Sequence, residues 1–544
     1  MPWSLSCLSW WNERSQKLSR LREYHYLLSA AAGLLLAAGR IYAQVEPQPL
    51  PGGAKDTGIN VLFDSSHQFT FFHHWQCQSA LRELGHRVTG NQASLQRALK
   101  AGTPMRVRDQ SSHAWNIQRA FTIQPAPEFD VAFLYQHGNV QPYLPEEKAA
   151  LQAFVAGGGG LIIDASLPES PLGRMLEEYG AKLLPEPVKV ALMAGQENPG
   201  LTADALSAPR RTAELSGDWH AIIGATATRA ALAVRSYEKG VIVLIADPQL
   251  VRLRIDNKER PNRDLLSWAV KRSTRNAKPR EDGRRVAWEP SGLGGAFYPE
   301  NQIEVGGIRV LYADNQLPEI INLAKTRFTE VMALLQKMLP TPPNPGDAYY
   351  INLAAGEGGG WAENAVTPKM AGTIAVKPES ILSVLAHELA HTMYGPEAAD
   401  GTPGCRLPPW WSEAHAGWFQ RKVIREMGFG EKWPYWPRGL ATLDPTLDAV
   451  DLAKVEESQM RQAWEKAWML WSILDARYGP DWYPRWLAHI HKKYHDPKRL
   501  LSMDEYILSL SETAGEDVTA LFVRFGTTVG PAAKSALPPM GPKK

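Results

Sequence analysis

Short apolar runs alternate with amphipathic stretches in the first half of the chain, between Ile59 and about Arg272. Four runs that end in polar residues or glycine are predicted to be strands: Ile59–Asp64, Asp130–Gly138, Gly160–Ser166 and Gly240–Asp247. Between the second and third runs, Pro145 and the two glutamates after it favour a helix start, and the glycines from Gly157 favour its end. Buried strands joined by helices predict a parallel sheet covered on both faces.

The second half continues with strands and helices and then becomes mainly helical. Strands are predicted at 308–314, 348–356 and 371–376, and a helix from about Pro318 to Met338. Another helix is predicted to begin at Pro378, because proline suits the first helical position and apolar residues follow at helical spacing. We therefore expect a multidomain protein, with an α/β domain at 58–272 and an α+β domain at 301–530.

Three segments outside these domains differ from them in composition. Residues 1–43 combine basic residues, an apolar run from Leu27 to Ala38 and a small residue at Ala43, the pattern of a signal peptide. The apolar run is shorter than the about 20 residues of a spanning helix. We expect export to the periplasm or the extracellular space, with no stable membrane span after cleavage; an uncleaved signal would anchor the protein. Basic residues predict a linker at 273–300, and residues 531–544 are predicted to be a flexible tail.

Composition and charge narrow the function classes. The 544 residues are 44% apolar and 21% charged, which excludes a chain disordered along its whole length. A net charge of +2 provides no global field for nucleic acid, so we expect no nucleic-acid partner. The three cysteines include no CxxC pair, which excludes a cysteine zinc cage. Cys77 and Cys405 either bridge the two domains or stay free.

The sequence His387-Glu388-Leu389-Ala390-His391 is an HExxH motif inside the helix predicted from Pro378. Helical positions i and i+4 share one face, so the two imidazoles offer nitrogen ligands to one zinc ion, and Glu388 offers a general base for a zinc-activated water. A catalytic zinc needs a third protein ligand, and Glu413 follows where another helix is predicted to start. The small residues Ala416 and Gly417 are expected to let the two helices approach closely.

These residues resemble the gluzincin metallopeptidases, the clan that includes thermolysin and the neutral aminopeptidases, over roughly Ile308 to Tyr494. The resemblance implies a thermolysin- or aminopeptidase-like domain in which His387, His391 and Glu413 bind one Zn²⁺. It also implies that Glu388 polarises the water and passes its proton to the leaving amine. We therefore expect an exported zinc metallopeptidase acting on a peptide or protein substrate, glycosylated or not.

Two motifs depart from the aminopeptidases of that clan. Their GxMEN loop corresponds here to Gly360–Asn364, in which Glu363 is either an amine anchor or an ordinary loop acid. Their YxKG motif, whose tyrosine helps to stabilise the oxyanion, corresponds to Trp464–Ala467. Tryptophan offers one N–H donor and no hydroxyl, which leaves the oxyanion partner open, with Tyr478 and His415 as candidates.

Three segments of the first domain, at 130–138, 144–164 and 247–270, resemble the flavodoxin-like fold of the class I glutamine amidotransferases. Active members of that superfamily carry a nucleophilic cysteine in a tight strand-to-helix turn. The corresponding strand here ends in Asp164-Ala165-Ser166, and Cys77 lies elsewhere. The resemblance therefore implies a non-catalytic binding or structural domain.

Two other functions stay open at this point. The first alternative is a catalytically weak cell-envelope protein that uses a peptidase scaffold to bind peptide or glycan. Trp464, in place of the tyrosine of the YxKG motif, favours this alternative. Ten tryptophans lie between Trp410 and Trp486, and they either fill a helical core or stack on sugars. Alternatively, the zinc site hydrolyses an amide that is not a peptide.

Overall fold

The computed structural model describes residues 56–541 with internal gaps. The gaps are 71, 109–120, 139, 203–205, 256–257, 275–295, 340–348, 357–358, 363–365, 371–376, 394–404, 406, 430–449, 495–498 and 535–536. The predicted signal peptide, Glu363, the strand expected at 371–376 and most of the predicted linker lie outside the described residues. All the described residues belong to one compact unit, made of 50–284 and 290–544.

A large sheet occupies the first half, and 13 strands of the described chain belong to it. These strands are β1 (Asn60–Asp64), β2 (Arg87–Asn91), β3 (Pro104–Arg108), β4 (Phe121–Pro125), β5 (Val131–Gln136), β6 (Gly160–Ala165), β7 (Ala181–Val188), β8 (Ala191–Leu192), β9 (Arg210–Leu215), β10 (Trp219–Thr226), β11 (Arg229–Tyr237), β12 (Gly240–Ile245) and β15 (Ala296–Tyr298). A separate hairpin consists of β13 (Arg252–Ile255) and β14 (Lys258–Pro261).

The centre of the large sheet is parallel, in the order β15-β2-β1-β5-β6-β12, and antiparallel strands extend it beyond β15 and beyond β12. Strands β1, β5, β6 and β12 are buried along their whole length. These are the four strands predicted from continuous apolar runs. Burying a large aliphatic or aromatic side chain contributes about 1.5–3 kcal/mol, so this centre is a main source of stability.

Helices cover the large sheet and connect its strands. They are α1 (Gln78–Glu83), α2 (Leu95–Ala98), α3 (Pro145–Ala156), α4 (Pro171–Glu178), α5 (Pro248–Val251) and α6 (Arg263–Ser273), with a π-helical turn at Phe72–Cys77. Helix α3 begins at Pro145 and ends before Gly157, as predicted.

A smaller sheet and a set of helices form the second half. Its strands are β16 (Asn301–Val305), β17 (Ile308–Tyr312), β18 (Tyr349–Ala355), β19 (Gly359–Ala362) and β20 (Val366–Met370), in the order β16-β17-β18-β20-β19. The helices are α7 (Pro318–Met338), α8 (Pro378–Met393), α9 (Trp411–Ile424), α10 (Met460–Tyr478), α11 (Trp482–Lys493), α12 (Met503–Ala514) and α13 (Thr519–Arg524). The predicted mixture of α/β and mainly helical regions is therefore confirmed at this coarse level.

The boundary region between the two halves contains regular structure. Strand β15 lies within the range predicted as a linker, and it pairs with β2 on one side and β3 on the other. The backbone N–H of Phe69, in the loop after β1, donates to the carbonyl of Ala355 in β18 at 2.8 Å. Both halves thus contribute to a continuous packed body.

The segment expected to be a flexible tail includes a 3₁₀ turn at Pro531–Ala533, and Ala533 is fully buried because it packs with the helical core. Cys77 and Cys405 are buried free thiols. Among the described residues, no helix has both the length and the apolar character to cross a membrane.

Candidate metal centre

Helix α8 holds the two histidines of the HExxH motif in a fixed orientation. The helix begins at Pro378, and its apolar face, which includes Leu382, Leu385 and Leu389, is completely buried. His387 and His391 lie on the face beside this stripe, with side chains 21% and 16% exposed. The buried stripe therefore directs both imidazoles toward one partly accessible position.

Helix α9 supplies the carboxylate that the sequence predicts. Glu413 lies in its first turn, between the buried residues Trp411 and Ala414, and its side chain is 46% exposed. Helices α8 and α9 pack directly on each other. This packing brings Glu413 to the two histidines, which lie more than 20 residues earlier in the chain.

The three side chains converge at ligand distances from one another. Nε2 of His387 lies 3.2 Å from Nε2 of His391 and 3.2 Å from Oε2 of Glu413, and Nε2 of His391 lies 3.5 Å from Oε1 of Glu413. Tetrahedral zinc with bonds of about 2.0–2.1 Å requires ligand atoms about 3.3–3.4 Å apart. Two imidazole nitrogens and the carboxylate group of Glu413, one oxygen of which faces each ring, therefore fit a divalent metal ion in both chemistry and spacing.

The second nitrogen of each imidazole also has a partner. Nδ1 of His387 lies 3.3 Å from Oε1 of Gln420, whose amide group donates to Oγ of Ser383 at 2.6 Å. Nδ1 of His391 lies 3.2 Å from Oγ of Ser412. A proton held on Nδ1 leaves the Nε2 lone pair free for a metal, so these contacts select the ligating tautomer of each ring.

The three groups differ in how readily they ionise. Burial disfavours the charged form of His387, but the hydrogen bond with Glu413 and the nearby carboxylates raise its pKa. Burial and the neighbouring His387 lower the pKa of His391 to about 4. Burial opposes ionisation of Glu413, yet the hydrogen bond from His387 and the charges of both histidines lower its pKa. At neutral pH the site therefore offers a carboxylate and at least one neutral imidazole.

Glu388 is almost completely buried on α8, at 5% exposure. Its charge is one of the influences that raise the pKa of His387. The carboxylate is not one of the three groups that could hold the metal.

The candidates for an oxyanion partner are engaged elsewhere. His415 is buried, with Nδ1 2.9 Å from the hydroxyl of Tyr483 and Nε2 3.3 Å from the carbonyl of Ala390. The hydroxyl of Tyr478 donates to Glu516 at 2.5 Å. Trp464 lies on α10 and packs partly buried against the helical core.

Gly417 has a different role from the one expected. A Cβ atom at this position would lie 2.5 Å from Cζ2 of Trp468 on α10. The missing side chain therefore makes room for Trp468, whose Nε1 donates to the carbonyl of Ala414 at 2.6 Å. Ala416 is fully buried in α9. The space at Gly417 thus admits a side chain of α10, whereas the packing of α8 on α9 does not depend on it.

Two polar residues at this centre were not identified from the sequence. Ser412 and Gln420 are separated from Glu413 by one position and by seven positions. Positions i and i+7 of a helix lie on similar faces, so Gln420 could have been found by looking two turns beyond Glu413. The contact of Ser412 depends on how the chain enters α9, which has no local sequence signal.

Comparison with protein-family models finds no match, and comparison with curated proteins finds none. Among solved structures, this chain is similar to a functionally unknown conserved protein from Bacillus anthracis str. Ames, with a TM-score of 0.31 and 14% identity over 43% of this chain. The match covers 49% of that protein, about half its length. A cytoplasmic protein from Salmonella typhimurium LT2 has a TM-score of 0.22 and 11% identity, over 39% of this chain and 94% of its own.

Proposed function

We propose that the protein is a zinc-dependent hydrolase that cleaves peptide bonds. The observation that carries this proposal is the convergence of His387, His391 and Glu413 at separations of 3.2–3.5 Å. Glu388 follows the first of these ligands in sequence and lies on the same helix. A donor set of two histidines and one glutamate, with a further carboxylate nearby, is a composition used by hydrolytic zinc sites.

The residues of the chain have distinct roles in this proposal. His387, His391 and Glu413 hold the metal, while Gln420 and Ser412 orient the imidazoles. Zinc bound by such a donor set lowers the pKa of a water ligand to about 7 and polarises a carbonyl group. Glu388 accepts the proton of the attacking water and delivers it to the leaving amine, which is general base catalysis followed by general acid catalysis.

The partial exposure of the three ligands suits an extended substrate. Their side chains are 16–46% exposed, so a peptide can reach the metal position without opening the core.

We include in the proposal a gluzincin-type scaffold for the second half and an amidotransferase-like, non-catalytic first half. We also propose that the protein is exported, that its substrate is a peptide or protein, and that it has no nucleic-acid partner.

Replacing Glu388 with glutamine tests the reaction. The Glu388→Gln variant should lose at least 100-fold in cleavage of a quenched fluorescent peptide library, because general base catalysis contributes about 10²–10⁴-fold. Its zinc content should stay at the wild-type value, since Glu388 is not a ligand. Glu379→Gln is a matched control, because it removes the same charge from the first turn of the same helix. Wild-type rates in Glu388→Gln would refute the proposal.

A second function is favoured by the surroundings of the oxyanion position. Trp464 has no hydroxyl, and Tyr478 and His415 are both held by other hydrogen bonds. This arrangement would fit a protein that binds peptide or glycan at the metal without hydrolysing the bound molecule. Intact peptides retained by the zinc-loaded wild type, with no cleavage across the library, would support binding over hydrolysis.

A further inference from the structure

A second set of metal-ligating side chains lies in the first half of the chain. His73 is in the π-helical turn at Phe72–Cys77, His137 directly follows β5, and Asp164 lies near the end of β6. Strands β5 and β6 are parallel neighbours, so their carboxyl ends meet at the same edge of the sheet. Ligand sites in open α/β sheets occur in the crevice at this edge.

The three side chains point to one position. Oδ2 of Asp164 lies 2.9 Å from Nε2 of His73 and 3.4 Å from Nε2 of His137. A divalent cation with bonds of about 2.0–2.2 Å requires neighbouring ligand atoms about 2.9–3.5 Å apart. All three ligand atoms lie within 4.8 Å of one another.

The hydrogen bonds of the cluster leave two of its buried atoms unsatisfied. Oδ1 of Asp164 and Nε2 of His137 make no hydrogen bond with any residue in the described part of the chain. Asp164 is completely buried, where a polar atom without a hydrogen bond costs about 1–3 kcal/mol. A cation coordinated by Nε2 of His137 and by both carboxylate oxygens of Asp164 would satisfy both atoms.

The second nitrogen of each ring contacts a hydroxyl group, as it does for His391 in the first centre. Nδ1 of His73 lies 3.0 Å from Oγ1 of Thr70, and Nδ1 of His137 lies 3.1 Å from Oγ of Ser166. Each hydroxyl can accept a proton from Nδ1 and so leave Nε2 as the ligand atom.

A cleft lies beside the cluster, at His137. The cleft has a volume of about 350 Å³, and His137, Ser166, Arg211 and Asp247 are among its lining residues. Arg252 also lies next to the cluster. Its Nη2 is 3.5 Å from Nδ1 of His73, and its guanidinium group stacks over the ring of Phe72. Because the positive charge of Arg252 repels a bound cation, we expect this site to bind metal more weakly than the first centre.

From these contacts we infer that His73, His137 and Asp164 form a second site for a divalent first-row transition metal, separate from the HExxH centre. The inference does not depend on the proposed hydrolase activity. Its ligand set of two nitrogens and one carboxylate oxygen is compatible with Zn²⁺, Co²⁺ or Fe²⁺.

Cobalt binding to the full-length protein tests the second site. After chelator treatment, Co²⁺ is titrated by visible absorption, and bound metal is counted by mass spectrometry. Wild type should bind two Co²⁺ per chain, and the His387→Gln/His391→Gln variant should retain one. Adding His137→Gln should remove that remaining ion, whereas adding His220→Gln, an exposed histidine on β10, should not. Absence of Co²⁺ from the His387→Gln/His391→Gln variant would overturn the inference.

A milder substitution covers the case in which His137→Gln does not fold. Ser166→Ala removes only the hydroxyl next to Nδ1 of His137. Introduced into the His387→Gln/His391→Gln variant, it should weaken Co²⁺ binding about 10-fold or more, the usual effect of losing the partner of a ligating histidine. Unchanged affinity in this triple variant would overturn the assignment of His137 as a ligand.

Discussion

The amide oxygen of Gln420 lies 3.3 Å from Nδ1 of His387, while the other ring nitrogen of the same histidine faces Glu413 at 3.2 Å. The imidazole is thus held from both sides by residues of α9. Because Ser383 of α8 in turn accepts a hydrogen bond from Gln420, the orientation of His387 depends on contacts between the two helices.

Replacing Gln420 should therefore weaken zinc binding without removing a ligand. We expect Gln420→Ala to raise the dissociation constant for Zn²⁺ about 10–100-fold, because the imidazole loses the partner that fixes its tautomer and orientation. Competition with a chromophoric chelator measures this constant. Ser383→Ala is the matched control: it removes the contact behind Gln420 and should have a smaller effect. Equal affinities of wild type and Gln420→Ala would contradict the role of Gln420.

Metal removal should destabilise the protein through the first centre. A ligand present at 1,000 times its dissociation constant stabilises the native state by about 4 kcal/mol. We expect a chelator to lower the melting temperature of wild type and of Glu388→Gln by similar amounts, and that of Glu413→Gln by less. Differential scanning fluorimetry makes the comparison, and ions bound elsewhere contribute equally to all three. A full-sized shift in Glu413→Gln would show that this glutamate does not bind the metal.

Substitution of Gly417 should disturb the packing of α9 on α10. The added Cβ of Gly417→Ala would lie 2.5 Å from the ring of Trp468, which cannot easily move because its Nε1 is hydrogen-bonded to Ala414. Overpacking of this kind costs about 1–3 kcal/mol. Urea unfolding measures the loss.

A double substitution separates this clash from other effects of the alanine. In a Trp468→Ala background, Gly417→Ala should become neutral or stabilising, because alanine favours a helix interior over glycine by about 1 kcal/mol. If Gly417→Ala lowered the free energy of unfolding equally in wild type and in Trp468→Ala, the clash with Trp468 would not be the cause of the destabilisation.

Stability should fall with rising pH because of a buried histidine. His67 is completely buried, with Nδ1 2.7 Å from Asp64 and Nε2 3.0 Å from Glu147. Burial opposes its charged form, but the charges and hydrogen bonds of Glu147 and Asp64 raise its pKa to about 10. The native state therefore keeps a proton that the unfolded chain loses above about pH 6.5.

The stabilisation from this proton is complete below about pH 6.5 and is lost as pH rises toward 10. The free energy of unfolding should fall by up to about 1.4 kcal/mol per pH unit in this window. Urea unfolding at several pH values measures the slope. His67→Gln should flatten it, even though the variant is less stable at neutral pH. The same slope in both proteins would assign the dependence to other groups.

Strong local patterns account for what could be predicted from the sequence. The apolar runs at β1, β5, β6 and β12 predicted buried parallel strands because a strand covered on both faces leaves no polar alternation. Pro378 and the apolar spacing after it predicted α8, and the HExxH motif then predicted two metal ligands on it. The approach of Glu413 was expected from its place at a helix start, from the small residues after it and from the gluzincin resemblance. Its carboxylate lies 3.2 Å from Nε2 of His387.

Contacts between segments that are far apart in the sequence could not be predicted from these local patterns. His73, His137 and Asp164 come together only because the order of strands places β5 beside β6 and the turn at Phe72–Cys77 above them. In the sequence these three residues lie far apart, and their spacing matches no metal-binding motif. Strand β15 was included in a predicted linker because three residues are too few to carry a recognisable alternation.

The position of β15 limits how the protein can be divided. Strands β3 and β4 join the large sheet through β15, which lies between β3 and β2. A recombinant fragment that stops at residue 272 would lack this connecting strand, and its β3–β4 hairpin would lose its attachment while β2 gained an open edge. Exposed strand edges of this kind promote aggregation, so separate production of the first half should include residues 296–298 or supply them as a second chain.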